Sequence, residues 1–238
     1  MNEVQTIIGH HAALAALSNK ERVIFSLKCT KEFYEKNKKN INLKEIKELK
    51  IISRKLIDME TKNNFHQGVL LKCSPLEKFK LQSIDATEDT ILILDSLNDS
   101  QNVGAILRSA YLFGIKSIIF NRDNSFEINP FLVKSASGAY EKVKLIEVTN
   151  LSRTIETLKN MNFWILGLDL ESNNDLESIP KDMKKVIIFG SENKGIRSLI
   201  KKKCDYLAKI NLPIKDKLID SLNVSNSVSI VLFNFLKK

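Results

Sequence analysis

Cysteine, histidine and glycine are all scarce in this chain of 238 residues. The three cysteines, Cys29, Cys73 and Cys204, lie far apart. An odd count without paired spacing excludes a disulfide framework and a zinc knuckle. Of the three histidines, His10 and His11 are adjacent and would point about 100° apart on a helix, a poor chelating pair. All six residues read as structural, and no metal site is expected. Long hydrophobic runs are missing too, so nothing approaches a bilayer span. Met1-Asn2-Glu3 lacks a basic start, and the first apolar patch, 12–17, is too short for a signal segment. The expectation is a cytoplasmic protein without membrane contact. Internal repeats and low-complexity tracts are absent as well.

What is present is an ordinary globular composition: 43% hydrophobic residues for a core and 27% charged. The length suits one large domain or two small ones. Lysine and arginine number 37 against 28 acidic residues, a net charge of +9, which hints at a polyanionic partner. Residues 1–88 hold 16 basic and 11 acidic side chains, the rest 21 and 17, so the shorter front part is the more basic per residue.

The chain changes character near residue 75. Before it, glycine occurs only at Gly9 and Gly68. Segment 30–62 is dense in Lys, Glu and Asn, and Ile46, Leu49, Ile52 and Leu56 follow helical spacing. These features predict surface helices on a small α/β domain with strands at 23–27 and 68–72. Residues 76–88 are mixed and polar and read as a linker. From 89 on, strands are predicted at 91–95, 117–120, 143–148, 163–168, 186–189 and 206–210. Helices fall at 102–113, 131–136, 151–159, 196–202 and 224–236. Alternation of this kind means α/β with a largely parallel sheet covered on both faces.

Ligands of open α/β sheets sit beyond the carboxyl ends of strands, and three segments there stand out. The first is a polar loop opening on Asn102-Val103-Gly104, with Arg108 beyond it. Asn102 reads as the helix N-cap. Gly104 in the first turn costs roughly 1 kcal/mol against Ala, which suits close approach and an accessible Arg108 guanidinium. A cap followed by a solvated arginine explains the same residues. The second is Gly190-Ser191-Glu192-Asn193-Lys194-Gly195. It is neither a P-loop nor a dinucleotide fingerprint, and Glu192 favours a neutral or cationic ligand over a phosphate. A simple tight connection is the alternative. The third is Ser221-Leu222-Asn223-Val224-Ser225-Asn226, capping residues before a terminal helix. Val224, Val228, Val231, Leu232 and Phe235 line that helix, with Ile230 and Phe233 beside them. An apolar face this wide calls for burial on two sides, the second at a subunit interface.

Together, Asn102-x-Gly104-x3-Arg108, Gly190-Ser191-Glu192-x2-Gly195 and Ser221-Leu222-Asn223-Val224-Ser225 resemble the three motifs of the SpoU (TrmH) branch of the SPOUT RNA methyltransferases. The likeness covers residues 89–238. Ile8-Gly9-His10-His11-Ala12-x2-Ala15-x-Leu17 and His66-Gln67-Gly68-Val69 resemble the L30e-like RNA-binding domain of the large-subunit ribosomal RNA guanosine 2′-O-methyltransferases. The resemblance implies an L30e-like domain over 1–75, a linker over 76–88 and a trefoil-knotted, parallel-sheet methyltransferase domain over 89–238, acting as a homodimer. It also implies S-adenosylmethionine as methyl donor and a ribose 2′-hydroxyl of ribosomal RNA as acceptor. The donor would lie among Gly190, Leu222 and Ile210 or Leu212, since 210–216 is longer than the family's usual link. Arg108, Asn102, Glu192, Ser221 and Asn223 would form the reactive set. A guanidinium stays protonated in proteins, so Arg108 is expected to donate hydrogen bonds to phosphate and developing alkoxide rather than to take a proton. Asn226 stands where the family has a small apolar residue and could perturb helix packing. Lys20, Arg22, Lys28 and Lys31, which flank the first predicted strand, are the expected RNA contacts. The competing readings are a transfer RNA ribose methyltransferase and a non-catalytic RNA-binding protein on the same scaffold.

Overall fold

The computed structural model describes residues 3–62, 65–214 and 221–236. Its contacts divide the chain into two units: everything described up to Glu77 together with Ile128–Lys142, and Lys78–Glu127 together with the described residues from Val143 on.

The first unit begins with β1 (Gln5–Ile8) and α1 (His10–Ser18), followed by β2 (Ile24–Cys29) and α2 (Lys31–Asn37). Next come β3 (Leu49–Ile51), α3 (Arg54–Thr61) and β4 (Val69–Cys73). The sheet order is β1-β4-β2-β3, with β4 antiparallel to both neighbours and β3 parallel to β2. The alanine-rich α1 buries Ala12, Ala13, Ala16 and Leu17. The two front motifs meet here: Gly9 N–H donates to the His66 carbonyl at 3.3 Å and His10 N–H to Gln67 Oε1 at 2.8 Å. Buried His66 accepts from Gly68 N–H at Nδ1 (3.0 Å), so Nε2 carries the proton it shares with Asp58 Oδ1 at 2.7 Å.

Helical spacing over 46–56 misleads. Leu49–Ile51 is a short strand paired with Leu27, Lys28 and Cys29, and the helix starts only at Arg54 behind Ser53. Ile57 and Thr61, not Leu56, are the buried positions on it. Three apolar residues at threefold spacing fit an edge strand followed by a helix as well as they fit one helix.

The expected linker is anchored at its far end to the second unit. Phe79 bridges to Ile146, Leu81 and Ile84 pack on that unit's core, and buried Glu88 accepts from Ser117 Oγ at 3.0 Å. Conversely, Ile128–Lys142 packs with the first unit, although it was expected to belong to 89–238. The physical reason is a buried ion pair. Arg22 Nη2 lies 2.7 Å from Glu141 Oε1, and the two side chains are 0% and 1% exposed. Asn19 Nδ2 donates to the same carboxylate (2.7 Å), while Arg22 Nη1 donates to Gln5 Oε1 and to the Ser74 carbonyl.

The second unit is a six-stranded sheet of β5 (Thr90–Asp95), β6 (Ser117–Asn121), β7 (Lys144–Val148), β8 (Trp164–Leu168), β9 (Lys185–Gly190) and β10 (Tyr206–Ala208). All pairs are parallel and the order is β10-β8-β9-β5-β6-β7. All six residues of β5 are buried, as a continuous apolar run predicts for a strand covered on both faces. Its helices are α4 (Ser100–Leu112), α6 (Leu151–Asn160), α7 (Ser198–Lys201) and α8 (Val224–Leu236), with the Pro130–Ser135 helix of the first unit counted as α5. From β5 the chain steps outward to β6 and β7, whereas β8 and β10 lie on the far side of β9. The order therefore reverses between β5 and β9, and a crevice for a ligand opens at their carboxyl ends. No described helix is long and apolar enough to cross a membrane.

Candidate active site

Asp95 and Gly190 end β5 and β9 side by side in register. The loop after β5 enters α4, whose N-cap is Asp99 rather than Asn102. Asp99 Oδ1 accepts from the N–H groups of Gln101 (2.7 Å) and Asn102 (3.0 Å). An aspartate three residues earlier competes for the same orphan donors and satisfies two of them. That releases the Asn102 side chain, whose Nδ2 donates to Glu192 Oε1 at 2.9 Å. Asn223 closes a triangle: its Nδ2 donates to Asn102 Oδ1 (3.0 Å) and to Glu192 Oε1 (3.2 Å). Its own Oδ1 accepts from the Ser225 N–H (2.9 Å), capping α8 as expected. Val224 N–H also points at Glu192 Oε1, at 3.5 Å. The carboxylate thus sits at the positive end of a helix. Its Oε2 has no hydrogen bond among the described residues and is available to a ligand.

The Gly190–Gly195 loop is held by its own backbone. Gly195 N–H donates to the Ser191 carbonyl at 2.8 Å, and a Cβ on Gly190 would stand 2.1 Å from the Gly195 carbonyl carbon. Gly190 therefore exists for the loop's own close approach. At the loop exit, fully buried Asp95 accepts from Arg197 N–H (3.0 Å) and Nε (2.6 Å), tying β9's loop to the end of β5.

Beside the triangle lies a cavity of about 340 Å³. Gly190, Ile210, Leu212 and Leu222 all line it, so the cavity includes both residues after β10 that the sequence left as alternatives; Glu192 and Ser221 line it too. The cavity also takes in Leu168, Asp169, Leu170 and Glu171 after β8, and Lys201 of α7. Those residues went unnoticed in the sequence. Only the strand-end rule, applied to the strand predicted at 163–168, could have pointed to them. Arg108 is exposed on α4, hydrogen-bonds to no described residue and does not line the cavity; Gly104 is buried within the helix. Asn226 faces solvent, so it leaves the packing of α8 intact.

Of the expected RNA contacts, Lys20 and Lys31 are exposed, and Lys28 Nζ pairs with Glu60 at 2.7 Å. Arg22 is a correction: it is buried, and its guanidinium is consumed by Glu141, Gln5 and Ser74.

A model of the SpoU rRNA Methylase family matches residues 89–233. The 23S rRNA (guanosine-2′-O-)-methyltransferase RlmB of Coxiella burnetii is 33% identical over 246 residues, covering 98% of this chain and 95% of its own length. A Staphylococcus saprophyticus protein, named provisionally as a TrmH family tRNA/rRNA methyltransferase, is 30% identical over 100% of this chain and 97% of its own. Among solved structures, the AdoMet-bound rRNA methyltransferase of Sinorhizobium meliloti superposes with a TM-score of 0.80 at 20% identity, covering 97% of this chain and 86% of that one.

Proposed function

Because the chain belongs to the SpoU rRNA methylase family, S-adenosylmethionine-dependent RNA 2′-O-ribose methyltransferases, we propose that it methylates a guanosine 2′-hydroxyl in ribosomal RNA. The observation that carries this reading is the Asn102–Glu192–Asn223 triangle at the rim of the cavity. Three loops far apart in sequence converge there. The choice of ribosomal RNA rests on the Coxiella burnetii relative, whose likeness extends through the first unit as well. The Staphylococcus saprophyticus relative, named for either RNA, keeps transfer RNA as the second reading.

The cavity fits the donor in size and lining. About 340 Å³ lies within the range of small-molecule pockets, toward its lower end. Phe189, Ile210, Leu212 and Leu222 offer apolar surface to a flat base, and Glu171 and Glu192 offer negative charge to a cationic ligand. When bound, S-adenosylmethionine supplies an electrophilic methyl on its sulfonium. The chain's own contribution is alignment and electrostatics. Glu192 Oε2 and the Asn102 and Asn223 amides orient the incoming ribose, and Ser221 supplies a further hydroxyl. Arg108 presents a forked, permanently charged donor for phosphate and for charge developing on the ribose oxygen.

A homodimer through α8 and α4 belongs to the same proposal. Val228, Val231 and Leu232 are buried within one protomer, but Ile230 is 40% exposed and Leu112 73% exposed. Lys20 and Lys31 stand as RNA contacts of the first unit.

Mapping 2′-O-methylation in RNA from cells with and without the protein tests the substrate. The expected result is loss of one methylguanosine from ribosomal RNA alone. Loss from transfer RNA instead would establish the second reading. A donor titration that shows no binding would leave a non-catalytic RNA-binding protein.

A further inference from the structure

The Asp169–Lys201 ion pair is the part of the cavity wall that none of the three motifs contains. Asp169 follows β8 directly, and Lys201 closes α7. Lys201 Nζ lies 2.7 Å from Asp169 Oδ2, with side-chain exposures of 26% and 13%, and both residues line the cavity. The backbone around Asp169 is pinned on both sides: its N–H donates to the Ala208 carbonyl at 2.9 Å, and its carbonyl accepts from Ser172 N–H at 3.1 Å. The carboxylate is thus fixed by a strand end, a neighbouring strand and a lysine. Glu171, by contrast, is exposed.

The geometry points to Asp169 as the residue that recognises the ribose hydroxyls of the methyl donor, held in position by Lys201. This rests on reading the cavity as the donor site. Lys201 engages Oδ2, while among the described residues Oδ1 has only a long 3.4 Å contact from Glu171 N–H. Oδ1 therefore keeps lone pairs for a hydroxyl donor in the cavity. The pair is neutral as a unit, which weakens its pull on an ammonium group. Its carboxylate still accepts hydrogen bonds from neutral hydroxyls, and bonds to a charged acceptor are the strong ones. A carboxylate just past a parallel strand is also where nucleotide-binding α/β sheets hold a ribose. Glu192, which pairs with no cation among the described residues, remains the better partner for a positively charged group.

Calorimetric titration of the full chain with S-adenosylhomocysteine, its 2′-deoxy and 3′-deoxy analogues and 5′-methylthioadenosine tests the inference. Wild type should bind at least one deoxy analogue about tenfold to a hundredfold more weakly than the parent. Asp169→Ala should weaken the parent by a similar factor and lose the discrimination. Asp169→Asn, which keeps the volume, should do the same if the alanine variant does not fold. Lys201→Met should lose part of the discrimination. Full discrimination retained in both Asp169 variants would overturn the inference. So would variants that lose affinity for S-adenosylhomocysteine but not for 5′-methylthioadenosine, since the pair would then serve the amino-acid end. Wild type that binds none of the four compounds would overturn the donor reading of the cavity itself, a different result from either.

Discussion

Arg22 and Arg108 carry the same guanidinium in opposite settings. Arg22 is enclosed with Glu141, and breaking a buried pair on one side leaves a charge uncompensated, at a cost of about 3–5 kcal/mol. Arg22→Met should lower unfolding stability by that order in a urea titration, whereas Lys20→Met should change it by less than about 0.5 kcal/mol. Arg108 has no partner among the described residues to lose. Arg108→Ala should nearly abolish methyl transfer while donor affinity, read by calorimetry, stays within a few-fold. Arg108→Lys should also fail largely, because a point charge does not reproduce the fork. Near-normal turnover of Arg108→Ala at saturating RNA would remove it from the reactive set. The sequence could not separate the two arginines, since Arg22 finds its carboxylate more than a hundred positions away. The cysteines were easier to read. Burial pushes the thiols of Cys29 and Cys73 up to about 11 and that of Cys204 up to about 12. At pH 8 the native protein should therefore take up iodoacetamide far more slowly than the unfolded chain, which intact-mass measurement follows.

At the scale of elements, helix α8 was legible to its end residues because its apolar face is wide and Asn223 caps it. The Gly190–Gly195 loop was legible as a place of close backbone approach, but its glycines have unlike duties. A Cβ at Gly190 would collide with backbone, while one at Gly195 meets nothing and suffers only from a φ of +63°. Gly195→Ala should cost about 1–2 kcal/mol. Gly190→Ala must displace the loop and should abolish donor binding as well as lower the melting temperature. Helix α8 also separates two kinds of hydrophobic residue. Val228→Asp places a charge in the protomer's own core and should unfold it, so it says nothing about assembly. Ile230→Asp, at a half-exposed position, should leave each protomer folded and shift the light-scattering mass from dimer to monomer. An unchanged dimer would place the interface elsewhere. Strand β3 and the anchored stretch after residue 78 were illegible, because pairing with a distant strand, not local pattern, decides both.

For the whole molecule, the alternation of strands and helices announced the parallel sheet, and the three loop motifs pointed to segments that the fold brings together. The return of Ile128–Lys142 to the first unit carried no local signal. It changes what a truncation means. Removing residues 1–75 would uncover Leu132, Val133, Ala136, Ala139 and Tyr140, all of which are buried. That fragment should aggregate, as dynamic light scattering would show. A version that also replaces 128–142 by a short Gly/Ser loop should stay dispersed and bind donor, yet methylate ribosomal RNA orders of magnitude more slowly. A rate equal to that of the full chain would strip the first unit of any part in choosing RNA. The same discontinuity sets a timetable for synthesis. Domains otherwise complete themselves in the order they leave the ribosome, at about 5–20 residues per second. Here the first module emerges early but waits several seconds, on the order of that rate, with Arg22 lacking its carboxylate, until Glu141 arrives. Nascent chains stalled before that point should expose a protease-sensitive front half, and chains stalled well beyond it should not.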